Sequence, residues 1–462
     1  MTDLAATVRA DDGQAAHAIV LVDASRWDDW LAEQSPRTCA VLDANGVTGK
    51  PGATAILPGD EAEDWSALAV AVAGDLLWPL AKLAGTLPAG TYRLTGWEPG
   101  EAVFGWALAQ HRFDRYRRND GSEPRVLLTG EPARAAAVLR LAEATATVRD
   151  LVDTGASDLG PAELEAEAEG LAGKHGATIR VTRGDALRQD FPMVHVVGQA
   201  ASAARAPRMI ELTWGDPAHP RVAIVGKGVC FDTGGLDIKP SAGMRLMKKD
   251  MGGAAHALAL AGLVMGAGLP VRLHLLIPAV ENAIGGDAFR PGDVLRSRLG
   301  LTVENTNTDA EGRLILADAL ARAGEEAPEL ILDFATLTGA ARVALGPDLP
   351  ATFANDEALA TDLLAAGEET GDPLWRLPLW AGYDEMLKSD VADLVNAPDG
   401  GFAGAVTAAL FLQRFVPDGI AWAHLDTFAW RPVAKPGRPK GGEAYGLRAG
   451  YRLLERRYGG SV

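Results

Sequence analysis

Residues 307–314 read Asn-Thr-Asp-Ala-Glu-Gly-Arg-Leu, which places two acidic residues, a glycine and an arginine within five consecutive positions. The run lies between a predicted strand, Thr302–Asn305, and a predicted helix, Arg313–Ala323. Asp309 and Glu311 therefore follow the end of a strand, where ligands gather in sheets that are flanked by helices. Helix capping would explain one acidic residue here, because the helix dipole stabilises it, but not the whole Asp-Ala-Glu-Gly-Arg combination.

Strands and helices alternate on both sides of this run, from about residue 176 onward. The predicted elements are strand Ala177–Val181, a pair of strands at Arg208–Thr213 and Arg221–Val225, helix 251–266, strand Val271–Ile277 and strand Leu330–Phe334. Such alternation is typical of an α/β fold, in which helices cover a central sheet.

The first 130 residues or so mix short apolar runs with helical stretches and predict a smaller α/β domain. Asp64–Trp78 is apolar at helical spacing, so we expect a helix that Pro79 ends or kinks. A long helix is predicted over Glu131–Leu151, and Pro161 suits the first turn of the next helix. This helical connector predicts a domain boundary around residues 150–160.

Composition argues against several classes of protein. The 462 residues include 44 Lys and Arg against 61 Asp and Glu, a net charge of -17, which disfavours a general nucleic-acid binder. The short basic patch at Arg112–Arg118 is interpreted as a solvated or interface face. With only Cys39 and Cys230, and neither a signal peptide nor a bilayer-spanning run, the sequence predicts a reduced cytoplasmic compartment and no membrane partner.

A second group of charged residues follows another predicted strand. The chain reads Val-Gly-Lys-Gly-Val-Cys-Phe-Asp-Thr-Gly-Gly over residues 225–235, so that Lys227 and Asp232 enter a glycine-rich loop. Lys239 and Asp250 follow. A phosphate-binding loop is one alternative, but the GxxxxGK[ST] spacing is missing. A plain turn with solvated charges is the other alternative.

Together the two groups offer four carboxylates, Asp232, Asp250, Asp309 and Glu311, with Lys227 nearby. Four carboxylates cannot share one cleft unless cations compensate their charge. Oxygen ligands without cysteine suit divalent manganese, magnesium or zinc, and a two-metal site can activate water and polarise a carbonyl. A two-metal phosphatase could use similar carboxylates and remains a rival interpretation.

The two segments resemble the leucine (cytosol) aminopeptidase family of dimetallic peptidases. The NTDAEGRL run at 307–314 is the signature of that family, and the lysine and aspartate spacing of the 225–250 segment also matches. The resemblance extends to Ala-Thr-Leu-Thr-Gly at 335–339 and more loosely from about residue 90 to the C-terminus, whereas no motif places the first 90 residues. It implies a metal-dependent enzyme that removes the N-terminal residue of peptides with a free α-amine.

The same resemblance implies metal ligands at the matching positions. Lys227, Asp232, Asp250 and Glu311 resemble the ligands of a tighter metal, and Asp232, Asp309 and Glu311 those of a more exchangeable one. Asp232 and Glu311 would bridge the two divalent ions, which we expect to be manganese or zinc, with magnesium possible. A lysine binds a metal only as a neutral amine, so the metals would have to lower the pKa of Lys227.

The remaining matches imply catalytic and pocket residues. Lys239 would stabilise the oxyanion of the tetrahedral intermediate, and Arg313 would bind a bicarbonate ion that serves as general base. Met247, Thr336 and Gly339 match positions that line the pocket for the N-terminal side chain. That pocket would be mostly apolar, with a preference for residues such as Leu.

The resemblance also implies the architecture and the assembly. We expect a smaller N-terminal α/β domain over 1–150, including a linker helix at about 131–151, and a larger catalytic α/β domain with a central mixed sheet over 156–462. The family forms homohexamers. Two other functions remain as alternatives, namely a DNA-binding accessory protein of the same fold and a scaffold without activity.

Overall fold

The computed structural model describes residues 3–59, 61, 64–72, 75, 77–117 and 123–460. The chain divides into unit 1, Met1–Ala146 with Val433–Lys440, and unit 2, Thr147–Pro432 with Gly441–Val462. The domain limits of 1–150 and 156–462 remain a prediction, and the structural division differs from them because Val433–Lys440 groups with unit 1. No helix among the described residues is long and apolar enough to cross a bilayer.

Unit 1 contains one sheet of six strands. The strands are β1 (Val8–Ala10), β2 (His17–Asp23), β3 (Thr54–Pro58), β4 (Trp65–Ala71), β5 (Gly90–Leu94) and β6 (Arg125–Thr129). They lie in the order β1-β6-β5-β2-β4-β3, and all neighbours are parallel except β3 and β4. The helices are α1 (Trp27–Ala32), α2 (Pro36–Ala44), α3 (Ala81–Thr86), α4 (Ala102–Leu108) and α5 (Pro132–Asp153), the last of which continues into unit 2.

The predicted helix at Asp64–Trp78 is wrong over its first half, because Trp65–Ala71 forms strand β4. This strand lies between β2 and β3, and consecutive residues from Ala67 to Val70 are all buried. A strand that is covered on both faces shows no alternation of polar and apolar residues, and its alanines imitate a helical composition. Residues 73, 74 and 76 of the predicted helix lie outside the described residues.

The two helices predicted near the domain boundary are confirmed. Helix α5 extends over Pro132–Asp153, and α6 over Pro161–His175. Pro161 occupies the first turn of α6, where its missing N–H costs nothing, and Glu163 accepts a hydrogen bond from the Gly160 amide at 2.9 Å.

Unit 2 is built around a mixed sheet, as predicted, and the structure shows nine strands in it. Its further helices are α7 (Gly184–Asp190), α8 (Pro192–Gly198), α9 (Ser241–Met244), α10 (Gly252–Gly266), α11 (Glu311–Gly324), α12 (Gly339–Leu345), α13 (Glu357–Glu369), α14 (Gly404–Gln413) and α15 (Leu447–Tyr458). Its strands are β7 (Thr178–Arg183), β8 (Arg208–Trp214), β9 (Arg221–Gly226), β10 (Gly228–Asp232), β11 (Arg272–Asn282), β12 (Val294–Arg296), β13 (Thr302–Glu304), β14 (Leu330–Ala335), β15 (Ala351–Ala354), β16 (Trp375–Arg376), β17 (Leu394–Val395), β18 (Ala421–Asp426), β19 (Trp430–Arg431) and β20 (Gly441–Gly442). The order in the main sheet is β16-β15-β18-β14-β9-β11-β8-β7, and β10 also pairs with β11.

Two predicted strand relationships need correction. The strands at Arg208–Thr213 and Arg221–Val225 exist as β8 and β9, but they are not a pair, because β11 lies between them. The eleven-residue β11 is antiparallel to β8 and parallel to β9. The place of β11 between them depends on pairing between distant segments, which the local sequence does not encode. The strand before the 307–314 run, β13, belongs to a separate three-stranded sheet with β12 and β17.

Candidate active site

Three parallel neighbours of the main sheet, β9, β14 and β18, end at the same edge. The residue after β9 is Lys227, the residue after β14 is Thr336, and β18 ends with Asp426. Strand β10 begins directly after Lys227 and ends with Asp232. Part of the predicted glycine loop is therefore a strand, and the carboxyl ends of the strands deliver these four side chains.

Lys227 lies at the centre of the group. Its ammonium is 2.7 Å from Asp250 Oδ2 and 3.1 Å from Glu311 Oε1, and it donates a hydrogen bond to the Thr336 carbonyl at 3.0 Å. Burial by itself would lower the pKa of Lys227, but the charges of Asp250 and Glu311 outweigh burial and raise it. A Cβ at Gly312 would collide with the Lys227 side chain, so the glycine of the 307–314 run is needed for this approach.

Three carboxylates converge beside Lys227. Asp232, Asp309 and Glu311 each offer an oxygen atom, and these atoms lie within 4.8 Å of one another. The side-chain amide of Asn282 donates to Asp232 Oδ1 at 2.9 Å and so fixes that carboxylate. The ammonium of Lys239 is 2.7 Å from Asp232 Oδ2 and also contacts Asp309.

Glu311 is the least satisfied carboxylate of the group. Both of its oxygens are buried, and neither accepts a hydrogen bond from any residue that the structure describes. Burial and the charge of Asp232 raise the pKa of Glu311 to about 8, and the same two causes raise the pKa of Asp309 to about 6. Lys227 and Lys239 oppose these shifts without cancelling them. A buried carboxylate whose oxygens accept no hydrogen bond, in a group of three converging carboxylates, fits a divalent metal ion.

Asp250 and Asp426 connect the site to the segment that follows β14. The hydroxyl of Thr336 donates to Asp250 Oδ1 at 2.8 Å. Asp426 accepts hydrogen bonds from the Leu337 amide at 2.9 Å and the Thr338 hydroxyl at 2.6 Å. Asp426 therefore holds in place the segment that contacts Lys227 and Asp250. Sequence analysis missed this residue, for which the only signal is its position at the end of a buried strand.

Arg313 is a buried cation with unused hydrogen-bonding capacity. Its Nη1 donates to the Asn396 carbonyl at 2.6 Å, whereas the buried Nε has no acceptor in the described part of the chain. Burial lowers the pKa of Arg313 to about 10, although Glu311 and Asp426 raise it. The free edge of a guanidinium group can bind a planar anion such as a carboxylate or bicarbonate.

One cavity of about 440 Å³ brings all the predicted site residues together. They are Lys227, Asp232, Lys239, Met247, Asp250, Asp309, Glu311, Arg313, Thr336 and Gly339. The lining also includes Lys249, Arg342 and Phe428, which sequence analysis did not identify. Two basic residues beyond the predicted ones, Lys249 and Arg342, therefore line this cavity, whereas the pocket for the N-terminal side chain was predicted to be mostly apolar.

Two family models match the chain. The catalytic domain of the cytosol aminopeptidase family matches residues 146–450, and the N-terminal domain of M17 aminopeptidases matches residues 18–129. The second match covers most of the first 90 residues, which no motif placed.

Individual relatives and solved structures agree with these matches. The probable cytosol aminopeptidase of Syntrophotalea carbinolica is 42% identical over 371 residues, which are 76% of this chain and 74% of that protein. A crystal structure of cytosol aminopeptidase from Coxiella burnetii has a TM-score of 0.92 and 45% identity, and the match covers 98% of this chain and 99% of that one. The bottromycin maturation enzyme BotP in complex with Mn has a TM-score of 0.85 and 34% identity, over 96% of this chain and 100% of that one.

Proposed function

This chain belongs to the cytosol aminopeptidase family, and on that premise we propose which of its residues bind metal, substrate and catalytic anion. The family makes it a metal-dependent aminopeptidase, a hydrolase that acts on peptides. The observation that carries the assignment of the site is Glu311, whose two buried oxygens accept no hydrogen bond within the described residues. The DNA-binding alternative has no support in the comparisons.

The proposed metal ligands are the residues that surround Glu311. Lys227, Asp232, Asp250 and Glu311 would hold one divalent ion, and Asp232, Asp309 and Glu311 the other, so that Asp232 and Glu311 bridge. The 4.8 Å grouping of three carboxylate oxygens supports the second set, and the contacts of Lys227 with Asp250 and Glu311 support the first. Manganese or zinc suits this mixture of oxygen ligands and one amine, and magnesium is the third option.

Two divalent ions would polarise the scissile carbonyl and lower the pKa of the attacking water. The side chain of Lys227 must lose its proton to serve as a ligand, although the neighbouring carboxylates raise its pKa in the metal-free protein. Metal binding is therefore expected to release protons. Calorimetric titration of the metal-free enzyme with manganese in two buffers of different ionisation enthalpy measures this release independently of turnover.

Lys239 and Arg313 are the proposed catalytic residues. Lys239 contacts Asp232 and Asp309 and lines the cavity, so its ammonium can donate to an oxyanion that forms beside these carboxylates. Arg313 would bind bicarbonate as the general base, which its free Nε supports. Met247 and Gly339, which line the same cavity, would contact the N-terminal side chain together with Thr336. We further propose, from family resemblance, a homohexamer in the cytoplasm.

Hydrolysis of leucine p-nitroanilide, beside its N-acetylated form, tests this function. The free-amine substrate alone should be cleaved, activity should disappear with a chelator, and manganese should restore it. Equal cleavage of the acetylated substrate would contradict exopeptidase action. A phosphomonoester assayed in parallel tests the alternative that the protein is a two-metal phosphatase.

A further inference from the structure

We propose that Lys249 and Arg342 bind a carboxylate of the substrate, in the first place the side chain of an N-terminal Glu or Asp residue. Together with Phe428 these two residues form a cation wall in the cavity that contains the metal ligands. The inference rests on the proposed function and adds to it a class of substrate. A second source of the same chemistry is the C-terminal carboxylate of a dipeptide.

Lys249 is a buried lysine whose ion pair with Asp250 is too long for a hydrogen bond. Its side chain is 6% exposed, and no described residue accepts a hydrogen bond from its ammonium. The carboxylate of Asp250 lies beyond hydrogen-bond distance, with Oδ1 3.6 Å from the ammonium nitrogen. The ammonium lies 5.3 Å from the centre of the Phe428 ring. A buried ammonium with unused donors favours an anionic ligand, because burial without hydrogen bonds is costly.

Arg342 brings a second cation to the same aromatic ring. Its guanidinium carbon is 4.8 Å from the centre of the Phe428 ring. Neither an ion pair nor a hydrogen bond engages its side chain among the residues described. The aromatic ring can hold both cations in place by cation–π attraction and leaves their charges intact. Two cations held in place, with free donors, form a receptor for a carboxylate.

The carboxylates proposed to bind metal do not neutralise the positive charges of Lys249 and Arg342. Asp232, Asp250, Asp309 and Glu311 carry four negative charges, which two divalent ions would neutralise. The positive charges of the cation wall are then in excess within one partly enclosed cavity, where electrostatic attraction is stronger than in water. A substrate carboxylate would offset part of this positive charge.

The position of the cation wall favours the N-terminal side chain as the source of the carboxylate. Lys249 follows Met247 by two residues in the same short helical turn, Met247–Met251. Arg342 follows Gly339 on helix α12, and a Cβ placed on Gly339 would lie 3.9 Å from Arg342 Nη2. The wall is thus continuous with the residues proposed to contact the first side chain of the peptide.

The test compares p-nitroanilides of Glu, Gln and Leu at pH 8. Glu and Gln have the same shape, so the ratio of their kcat/KM values reports the charge alone, and it does not depend on the folded fraction of a variant. We expect the wild type to favour Glu over Gln by about tenfold. Lys249→Met should bring the ratio close to one, and Arg342→Met should lower it less because Arg342 is exposed.

Lys248→Met is the matched control. Lys248 carries the same charge at the adjacent position, but its ammonium donates to the Asp153 carbonyl and does not line the cavity. The Glu to Gln ratio should survive this substitution. A comparable loss in Lys248→Met and Lys249→Met would overturn the proposal, because the effect would then reflect overall charge and not contact.

Leu-Gly and its C-terminal amide form the second arm. If Lys249→Met abolishes a preference for free Leu-Gly over the amide, the C-terminus supplies the carboxylate and the cation wall is still its receptor. The inference would be overturned, and the proposed function kept, if the wild type cleaves the Leu and Gln substrates but prefers neither Glu over Gln nor free Leu-Gly over its amide. Failure to cleave any of the three p-nitroanilides would instead refute the proposed function.

Discussion

Helix α11 carries two buried carboxylates, Glu311 and Asp318, whose surroundings differ sharply. Asp318 accepts three backbone hydrogen bonds, from Arg298 at 2.7 Å, Met193 at 2.8 Å and Val194 at 3.3 Å. Neither oxygen of Glu311 accepts one from the part of the chain that the structure describes. Both side chains are almost completely buried, so burial does not separate their roles.

The pKa shifts of the two carboxylates also fail to separate them. Burial raises the pKa of Glu311 to about 8 and that of Asp318 to about 7. The difference lies in hydrogen bonds, because Asp318 anchors the first turn of α8, whereas Glu311 leaves both oxygens available to a cation. Within α11, we therefore assign the carboxylate that has backbone donors to stability and the one without them to function.

Glu311→Gln should produce the largest effect and tests the functional side of this comparison. The neutral amide keeps the shape but cannot bridge two metals, so kcat/KM for leucine p-nitroanilide should fall by about 1,000-fold or more. Metal content should fall with it. Asp250→Ala should likewise lose the tighter metal.

The chelator-treated Glu311→Gln protein provides the control. Its free energy of unfolding should lie within about 1 kcal/mol of the treated wild type, because Glu311 accepts no hydrogen bond among the described residues and the amide oxygen of Gln can still face the Lys227 ammonium. A much larger destabilisation without metal would assign Glu311 a structural role and remove the contrast with Asp318.

Asp318→Ala should show the opposite pattern. Three buried amides lose their acceptor, so the free energy of unfolding should fall by about 3 kcal/mol, as measured by urea titration. Activity per folded molecule should change by less than about twofold, since Asp318 does not line the cavity. A loss of turnover with unchanged stability would reverse the assignment. Asp318→Asn keeps one acceptor and should fall between alanine and the wild type.

Arg313→Ala sharpens the comparison at a third charged residue of α11. Turnover should slow by about 30-fold while both metals remain bound, because the guanidinium would hold an anion and not a metal. Added bicarbonate should stimulate the wild type and not the variant, and Arg313→Lys should recover part of the effect. Loss of metal from Arg313→Ala would show that the residue supports the ligands instead.

The residues proposed as metal ligands could be singled out from the sequence because several of them are closely spaced, and the structure brings them into one cavity. Asp309 and Glu311 flank a single alanine, and Lys227 and Asp232 lie at opposite ends of one short strand. Helices α5 and α6 were also predictable, since composition and Pro161 mark them locally. The roles of these residues in catalysis remain predictions.

Features that depend on distant segments escaped the sequence. Asp318 meets Met193 across 125 positions, and nothing near either residue marks the contact. Lys249, Arg342 and Phe428 come from three separate segments and meet only in the folded cavity. Strand β4 was taken for a helix because burial on both faces removed the alternation that identifies strands.

The smallest expected effect is a pH dependence of stability that arises from Asp318. Burial raises its pKa to about 7 from an ordinary value of 3.8, and the three backbone donors only partly oppose this. Between these two values the folded protein keeps a proton that the unfolded chain releases, so the stabilisation falls as pH rises from 3.8 to about 7 and changes little at higher pH. Relative to Asp318→Asn, the chelator-treated wild type should lose about 1 kcal/mol between pH 6 and 8. A difference that stays constant over this range would mean that the backbone donors keep Asp318 ionised throughout, which would make its contrast with Glu311 one of charge as well as of hydrogen bonding.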